Sequence, residues 1–460
     1  MLTTFAGTGK PGFSGDGGPA TKARLSFIRG LGVDGSGNVY IVTEGEKAEK
    51  SIFPDGSGRV RKVSPDGKIA LFAGSPGPGS FDMVLNDGGP ATKAQLDVAT
   101  GVAADAKGNL YIADTNYDRV RKVSPNGTIT TFAGSGNPFG SPAIRVSGDG
   151  GPATSAGLPD PWGVAVDGKG NVYITEHYRH LVRKVDSRGI ITTFAGTAKF
   201  GFSGDGGPAT KAQLYYPSGV AADSKGNVYI ADSQNFRVRK VSPDGKITTF
   251  AGTGKTIAHV SSGANRGPKP LGDGGPATKA TLSSPGSVAV DGIDNVYIGD
   301  YFRVRKVSPQ GTITTVAGTG HGGPPFCARG PATSELIGPS PDVAVDAQGN
   351  IFIASDIVNS GSASPPDYRV CEVKNAAPIA SFSVTPASGQ SPLRVRFDAS
   401  ASRDPDGSVT RYSWDFGDGT TGTGKTTNHT YKAAGSFRVE LMVTDDSGGT
   451  RTVTRLVRVT

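Results

Sequence analysis

A four-part motif recurs six times in the first 374 residues, and internal repetition of this kind constrains the fold more than any other feature of the chain. Its first part is a small apolar run closing on aspartate, at Asp34, Asp105, Asp167, Asp223, Asp291 and Asp346. The second is Asn-Val-Tyr-Ile or a variant, beginning at Asn38, Asn109, Asn171, Asn227, Asn295 and Asn350. The third is Arg-Val-Arg-Lys-Val or a variant, from Arg59, Arg119, Leu181, Arg237, Arg303 and Arg369. The fourth is Ile-Thr-Thr-Phe-Ala-Gly or a variant, from Ile69, Ile129, Ile191, Ile247 and Ile313. Each part is short, β-branched and bounded by Gly, Asp, Asn or Pro, which is the signature of a strand. The links between parts are short enough for hairpins, so each unit reads as a four-stranded antiparallel meander. Six units, each with an uncovered apolar face, must stack, and radial closure limits exposed edges. The fourth strand is missing after Val373 and present instead at Leu2–Gly7. The N-terminal strand is therefore expected to complete the last unit.

Composition agrees with this reading. The chain of 460 residues holds 69 Gly, roughly twice the usual share, as many tight turns require. No stretch of 18 or more apolar residues occurs, so no membrane-spanning helix is expected. Met1 is followed by neither a charged nor an apolar leader region, so no secretory leader is expected here. The net charge of +8 is mild for this size, and a solvated surface explains it. Two cysteines, Cys327 and Cys371, exclude a disulfide scaffold or a Cys-rich zinc module. A disulfide between them is an open expectation, since sequence shows no distances.

The repeat resembles the NHL-repeat six-bladed β-propeller, and the Gly-Asp-Gly-Gly-Pro-Ala-Thr insertions look like those of bacterial and teneurin-type NHL proteins. After Lys374 the composition changes. Trp414-Asp415-Phe416-Gly417-Asp418-Gly419-Thr420, preceded by Asp404-Pro-Asp406-Gly and followed by His429-Thr-Tyr431, resembles a PKD domain, an immunoglobulin-like β-sandwich. The expected fold is all-β: a propeller over residues 1–374, closed by the N-terminal strand, then a PKD domain over 375–460.

Several patterns compete with plainer readings. Gly419–Thr426 satisfies a phosphate-loop pattern, but no helical period follows it, so it reads as a hairpin of the sandwich. The recurrent Asp16, Asp87, Asp149, Asp205 and Asp273 come one per unit, too dispersed for calcium, and read as turn and capping residues. The arginines of the third strand are expected to pair with Asp114, Glu176, Asp232 and Asp300 and lock blade to blade. Asp404 and Asp406, with Asn375, are a candidate calcium site of the PKD domain; an Asx turn is the alternative. His177, His180, His259 and His321 fall in long connections on one face.

Positions that differ among repeats are free to carry function. The residue before the innermost strand's glycine reads Arg29, Thr100, Trp162, Ser218, Gly286 and Pro341, the last followed by Asp342. A ligand site at the channel mouth is expected from Arg29, Trp162, Asp342, His177, Tyr178 and His180. The alternative has Trp162 plugging the channel and the two charges pairing. The resemblance implies an extracellular or cell-surface binding protein. One propeller face would recognise protein or polysaccharide, and the PKD domain would act as spacer or surface module. A lyase or lactonase-type hydrolase with a metal at the mouth, and polyanion or RNA binding by a basic face, are the alternatives; nucleic acid is not the expected partner.

Overall fold

A computed structural model describes residues 1–44, 58–75, 86–136, 146–255, 272–321, 327, 329–339, 341–354, 368–405 and 407–460. Two compact units result, one of Met1–Asp346 with Ile351–Val373, the other of Ala347–Asn350 with Lys374–Thr460.

The first unit contains six four-stranded antiparallel sheets, the blades of a propeller. Blades one to five span 28–73, 99–133, 161–195, 217–251 and 287–317. Blade six takes three strands from 342–373, and its outer strand is Leu2–Ala6. Leu2 pairs with Val373, Thr4 with Cys371 and Ala6 with Val370. The Asn-Val-Tyr-Ile strands are buried along their whole length because each is covered by a blade on either side. Tyr111, Val120 and Ala133 of blade two, for example, share one core with Val164, Ile174 and Ile191 of blade three.

The first hairpin of each blade is fixed by its recurrent polar residues. In blade three Asp167 Oδ1 accepts from the backbone of Lys169 and Asn171, both at 2.9 Å, while its Oδ2 accepts from Asn171 Nδ2 at 2.7 Å and the Tyr173 hydroxyl at 3.1 Å. Asp34, Asp105, Asp223 and Asp291 repeat the arrangement with Tyr40, Tyr111, Tyr229 and Tyr297. Burial and the neighbouring carboxylate both push the phenols of Tyr40, Tyr111, Tyr173 and Tyr229 above their ordinary range. The innermost strands approach closely because glycine faces the next blade. A Cβ on Gly101 would stand 2.5 Å from the Trp162 carbonyl oxygen.

The Gly-Asp-Gly-Gly-Pro-Ala-Thr segments strap blade to blade. Gly17 donates to Ile69 of blade one, while Gly7 of blade six donates to Ala20 in the turn that follows. Their aspartates do not cap that turn: its N-cap is Pro19, which has no side-chain bond. Asp16 instead accepts from Arg61 Nε at 3.0 Å, and Asp87, Asp149, Asp205 and Asp273 pair likewise with Arg121, Arg183, Arg239 and Arg305. The capping expectation is thus corrected. An always-charged, fully buried guanidinium needs a carboxylate more than a single helical turn needs a cap. Three of these arginines also meet a second-strand carboxylate, Arg183 Nη1 reaching Glu176 Oε1 at 2.9 Å, but within one blade and not across two. The other arginine rung closes turns: Arg119, Arg237 and Arg303 donate to the carbonyls of Ser135, Thr253 and Thr319. A disulfide joins Cys327 to Cys371, with the Cα atoms 5.6 Å apart.

The second unit is a two-sheet sandwich. One sheet contains Ser383–Thr385, Leu393–Asp398 and Thr426–Tyr431; the other contains Ser388–Gly389, Val409–Asp415, Thr421–Thr423, Gly435–Asp445 and Thr450–Val459. Trp414, Phe397, Phe416 and Tyr431 fill the core, and the Trp414 indole donates to the Gly424 carbonyl at 2.8 Å. The phosphate-loop pattern spans Thr421–Thr423 and the turn into the next strand, with no helix behind it.

Candidate functional site at the channel mouth

The six innermost strands surround a channel of about 230 Å³. Arg29, Trp162, Ser218 and Asp342 are among its lining residues. Position follows from register: Pro161, at the start of blade three's innermost strand, pairs with Glu176 at the end of its second strand. The next residue, Trp162, therefore sits beside the short turn His177–Arg179.

The structure brings together Trp162, His177, Tyr178 and His180. The Trp162 indole stacks on the His177 imidazole, with centroids 4.9 Å apart and planes at 26°. His177 continues onto Tyr216 at 4.9 Å, and Tyr216 stacks on Tyr215 at 5.0 Å. Phe200 closes the series 5.4 Å beyond Tyr215. Tyr178 meets the edges of His177 and Tyr216, and His180 meets Tyr215, Tyr216 and Phe200. Trp162 is half-buried, whereas Tyr178 is 55% and Phe200 66% exposed.

Tyr215, Tyr216 and Phe200 were not among the expected site residues. The same signal locates them: after the leucine (isoleucine before blade six) that precedes each blade, the other copies read Ser26-Phe27, Asp97-Val98, Pro159-Asp160, Ser283-Ser284 and Gly338-Pro339. The left-handed backbone at Tyr216 is no special feature of the site, because Val98 and Asp160 adopt it at the equivalent position. His180 likewise shares its positive φ with Asp118 and Phe236.

The two histidines use their Nδ1 atoms differently. His177 Nδ1 lies 3.2 Å from the Pro217 carbonyl oxygen and 3.3 Å from Ser218 Oγ. A carbonyl only accepts, so Nδ1 carries the proton. His180 Nδ1 accepts from the Tyr216 backbone N–H at 3.2 Å, so its proton is on Nε2. Burial lowers the pKa of both imidazoles, reinforced at His180 by Arg179. Both rings are thus neutral near pH 7.

The two expected charges do not pair with each other. Arg29 forms a bidentate pair with Glu44, Nε to Oε1 at 2.7 Å and Nη2 to Oε2 at 3.0 Å. Glu44 directly follows the second strand of the same blade, Val39–Thr43. Asp342 reaches across the closing seam of the ring, where its Oδ2 accepts from the Leu31 backbone N–H at 2.6 Å. Burial pushes its pKa up to about 6 against the pull of that bond. His321 is exposed beyond blade five, and His259 lies outside the described residues.

In the sandwich, Asn375 Nδ2 donates to Asp445 Oδ2 at 3.1 Å. Asp404 lies with Asp446 beside Gly407, and Asp406 is outside the described residues. Among the described residues no three His, Cys, Asp or Glu side chains stand together as metal ligands, and no helix is long and apolar enough to cross a membrane.

Comparison with known proteins follows the same division. The teneurin NHL domain model matches residues 140–203 and 199–266, which include the aromatic series. The PKD domain model matches residues 375–460. Chicken (Gallus gallus) teneurin-1 is 30% identical over 243 residues, half of this chain and 8% of its own length. The chloroplastic protein Suppressor of Quenching 1 of Arabidopsis thaliana is 28% identical over 179 residues, 38% of this chain and 16% of its own. This chain thus spans only a small part of the relatives it matches. A Bacteroides thetaiotaomicron protein of unknown function shares the fold, with TM-score 0.51 and 16% identity, over 81% of this chain and 74% of its own. The chain is therefore a six-bladed β-propeller similar to teneurin NHL domains, followed by a domain that matches the PKD family.

Proposed function

We propose that this chain is a non-enzymatic binding protein of the extracellular or cell-surface space, whose ligand lands on the channel mouth beside blades three and four. The PKD domain serves as spacer or surface-association module. The observation that carries the reading is the continuous series Trp162, His177, Tyr216, Tyr215 and Phe200, part of it open to solvent. Aromatic rings in a closed core need no exposure; rings that present a face or edge to water offer a contact surface. No other blade carries aromatic residues at all of the corresponding positions: Phe27 alone repeats a ring at the place of Tyr216, and Arg29, Thr100, Ser218 and Gly286 stand where Trp162 does, so the scaffold does not demand the series. A sugar ring or a flat peptide side chain is the complementary shape. Similarity to teneurins and to a PKD domain supports the surface location.

The test is Trp162→Ala in the full chain, screened beside the parent on glycan and protein arrays. The reading predicts that the parent's principal ligand is lost at least tenfold while the melting curve is kept. Full-strength binding by an intact variant would remove the mouth as the site.

A further inference from the structure

Resting on that reading, we infer that the mouth takes the terminal residue of an uncharged carbohydrate, with Trp162 as the stacking surface and His177 Nε2 as the acceptor for one sugar hydroxyl.

The repeat itself isolates what is unusual about His177. In blade two the corresponding residue is Thr115, whose hydroxyl donates to the Pro161 carbonyl at 2.7 Å. In blade four it is Ser233, which donates to the Pro285 carbonyl at 2.6 Å. Each hydroxyl ties its blade to the proline leading into the next. His177 Nδ1 makes the same link to Pro217. A hydroxyl is enough for that link, so the imidazole adds two things beyond it: a π face and a second nitrogen. The face is used against Trp162 and Tyr216. The second nitrogen, Nε2, has no hydrogen bond among the described residues and is not one of the buried unpartnered atoms. With the proton held on Nδ1, Nε2 presents a lone pair. It is an acceptor fixed in place beside a stacking surface, and a ligand that uses both must offer a hydroxyl next to an apolar ring face. Sugars have that combination.

Charge and size narrow the class. Arg29 is closed by Glu44, Asp342 is held by Leu31, and Arg179 lies in the field of Asp118 and Asp160. Charges engaged in this way favour a neutral ligand over an acidic one. The channel volume of about 230 Å³ is below the range of about 300–1,000 Å³ typical of pockets for drug-sized ligands. A cavity of that size suits the end of a chain.

The experiment uses the full chain against immobilised neutral glycans ending in glucose, galactose, mannose or N-acetylglucosamine. Sialylated, sulfated and uronate-containing glycans form the charged arm. Trp162 emission gives a second readout, since the other tryptophan, Trp414, is only 2% exposed. Binding of at least one neutral terminus is expected, with quenching or a shift of that emission. His177→Ser should weaken it at least tenfold without moving the melting curve, because Ser233 shows that serine keeps the link to the next blade. His177→Asn, which keeps a donor near the Nδ1 position, should weaken it equally and stands in if the serine variant does not fold. Binding confined to charged glycans would overturn the inference. So would a protein ligand that needs Trp162 with no neutral glycan bound, although the mouth would then remain the site. Neutral binding untouched by Trp162→Ala would overturn both the inference and the reading beneath it.

Discussion

Removing residues 1–8 tests the closure of the ring. Leu2 and Ala6 are fully buried in the outer strand of blade six, and Phe5 meets Phe352 edge to face at 4.7 Å. Re-exposing a buried Leu or Phe costs about 1.5–3 kcal/mol each. Each lost ladder hydrogen bond adds about 1 kcal/mol. Four residue pairs join this strand to Val370–Val373, so the total exceeds about 5 kcal/mol, comparable to the whole stability of many domains. The deletion also opens a strand edge able to pair with another chain. The assay is a thermal melt by calorimetry with the disulfide intact, followed by light scattering. A fall in Tm of about 10 °C or more is expected, with concentration-dependent aggregation. Leu2→Ala should show part of it, about 2–5 kcal/mol. A truncated chain whose melt superimposes on the parent's would refute the closure argument.

Other outcomes follow from the buried polar groups. Arg183→Ala leaves Glu176 buried without its guanidinium and should cost about 3–5 kcal/mol in a urea melt. Arg188→Ala, which breaks an exposed pair with Asp186, should leave the urea midpoint unchanged. Cys371→Ser opens a link with a sequence separation of 44 residues and should cost about 4 kcal/mol in the chain-entropy model; the parent in reductant should approach the same value. His177 and His180 are held below their ordinary pKa by burial, so the unfolded chain takes up these protons first. Their contribution is complete above about pH 6.5 and is lost as pH falls through the folded-state values. Carboxylates raised by burial, among them Asp342, act in the opposite direction. The histidine contribution is therefore read as the difference between parent and His177→Ser, which should be close to zero at pH 7.5 and turn against the parent on acidification to pH 5.

Repetition made the blades legible. Asp167, Asn171 and Tyr173 recur because one carboxylate organises a whole hairpin, and a local network of that kind leaves a fixed spacing in the sequence. The outer strand was found by counting copies. The partners of the buried arginines were half-legible. Glu176 and Arg183 belong to adjacent strands of one hairpin, whereas Asp149 reaches Arg183 from the segment that precedes the blade. Nothing local requires that pairing, although Asp and Arg recur together in five copies. At the mouth, comparison among repeats singled out Trp162 and the His177 turn. Tyr215 departs from its copies just as strongly, and Tyr216 from all but Phe27, yet only the seam between blades three and four shows that they continue the same series. Arg29 and Asp342 line the channel, and their bonding partners depend on a side-chain reach that spacing does not encode.

The most direct measurement of the central claim is a crystal structure of the full chain with the best-binding neutral glycan from the array. The account predicts a sugar ring packed on the Trp162 indole, with one hydroxyl within hydrogen-bonding distance of His177 Nε2. A glycan seated on the opposite, short-turn face of the propeller, or bound by the PKD domain alone, would contradict it.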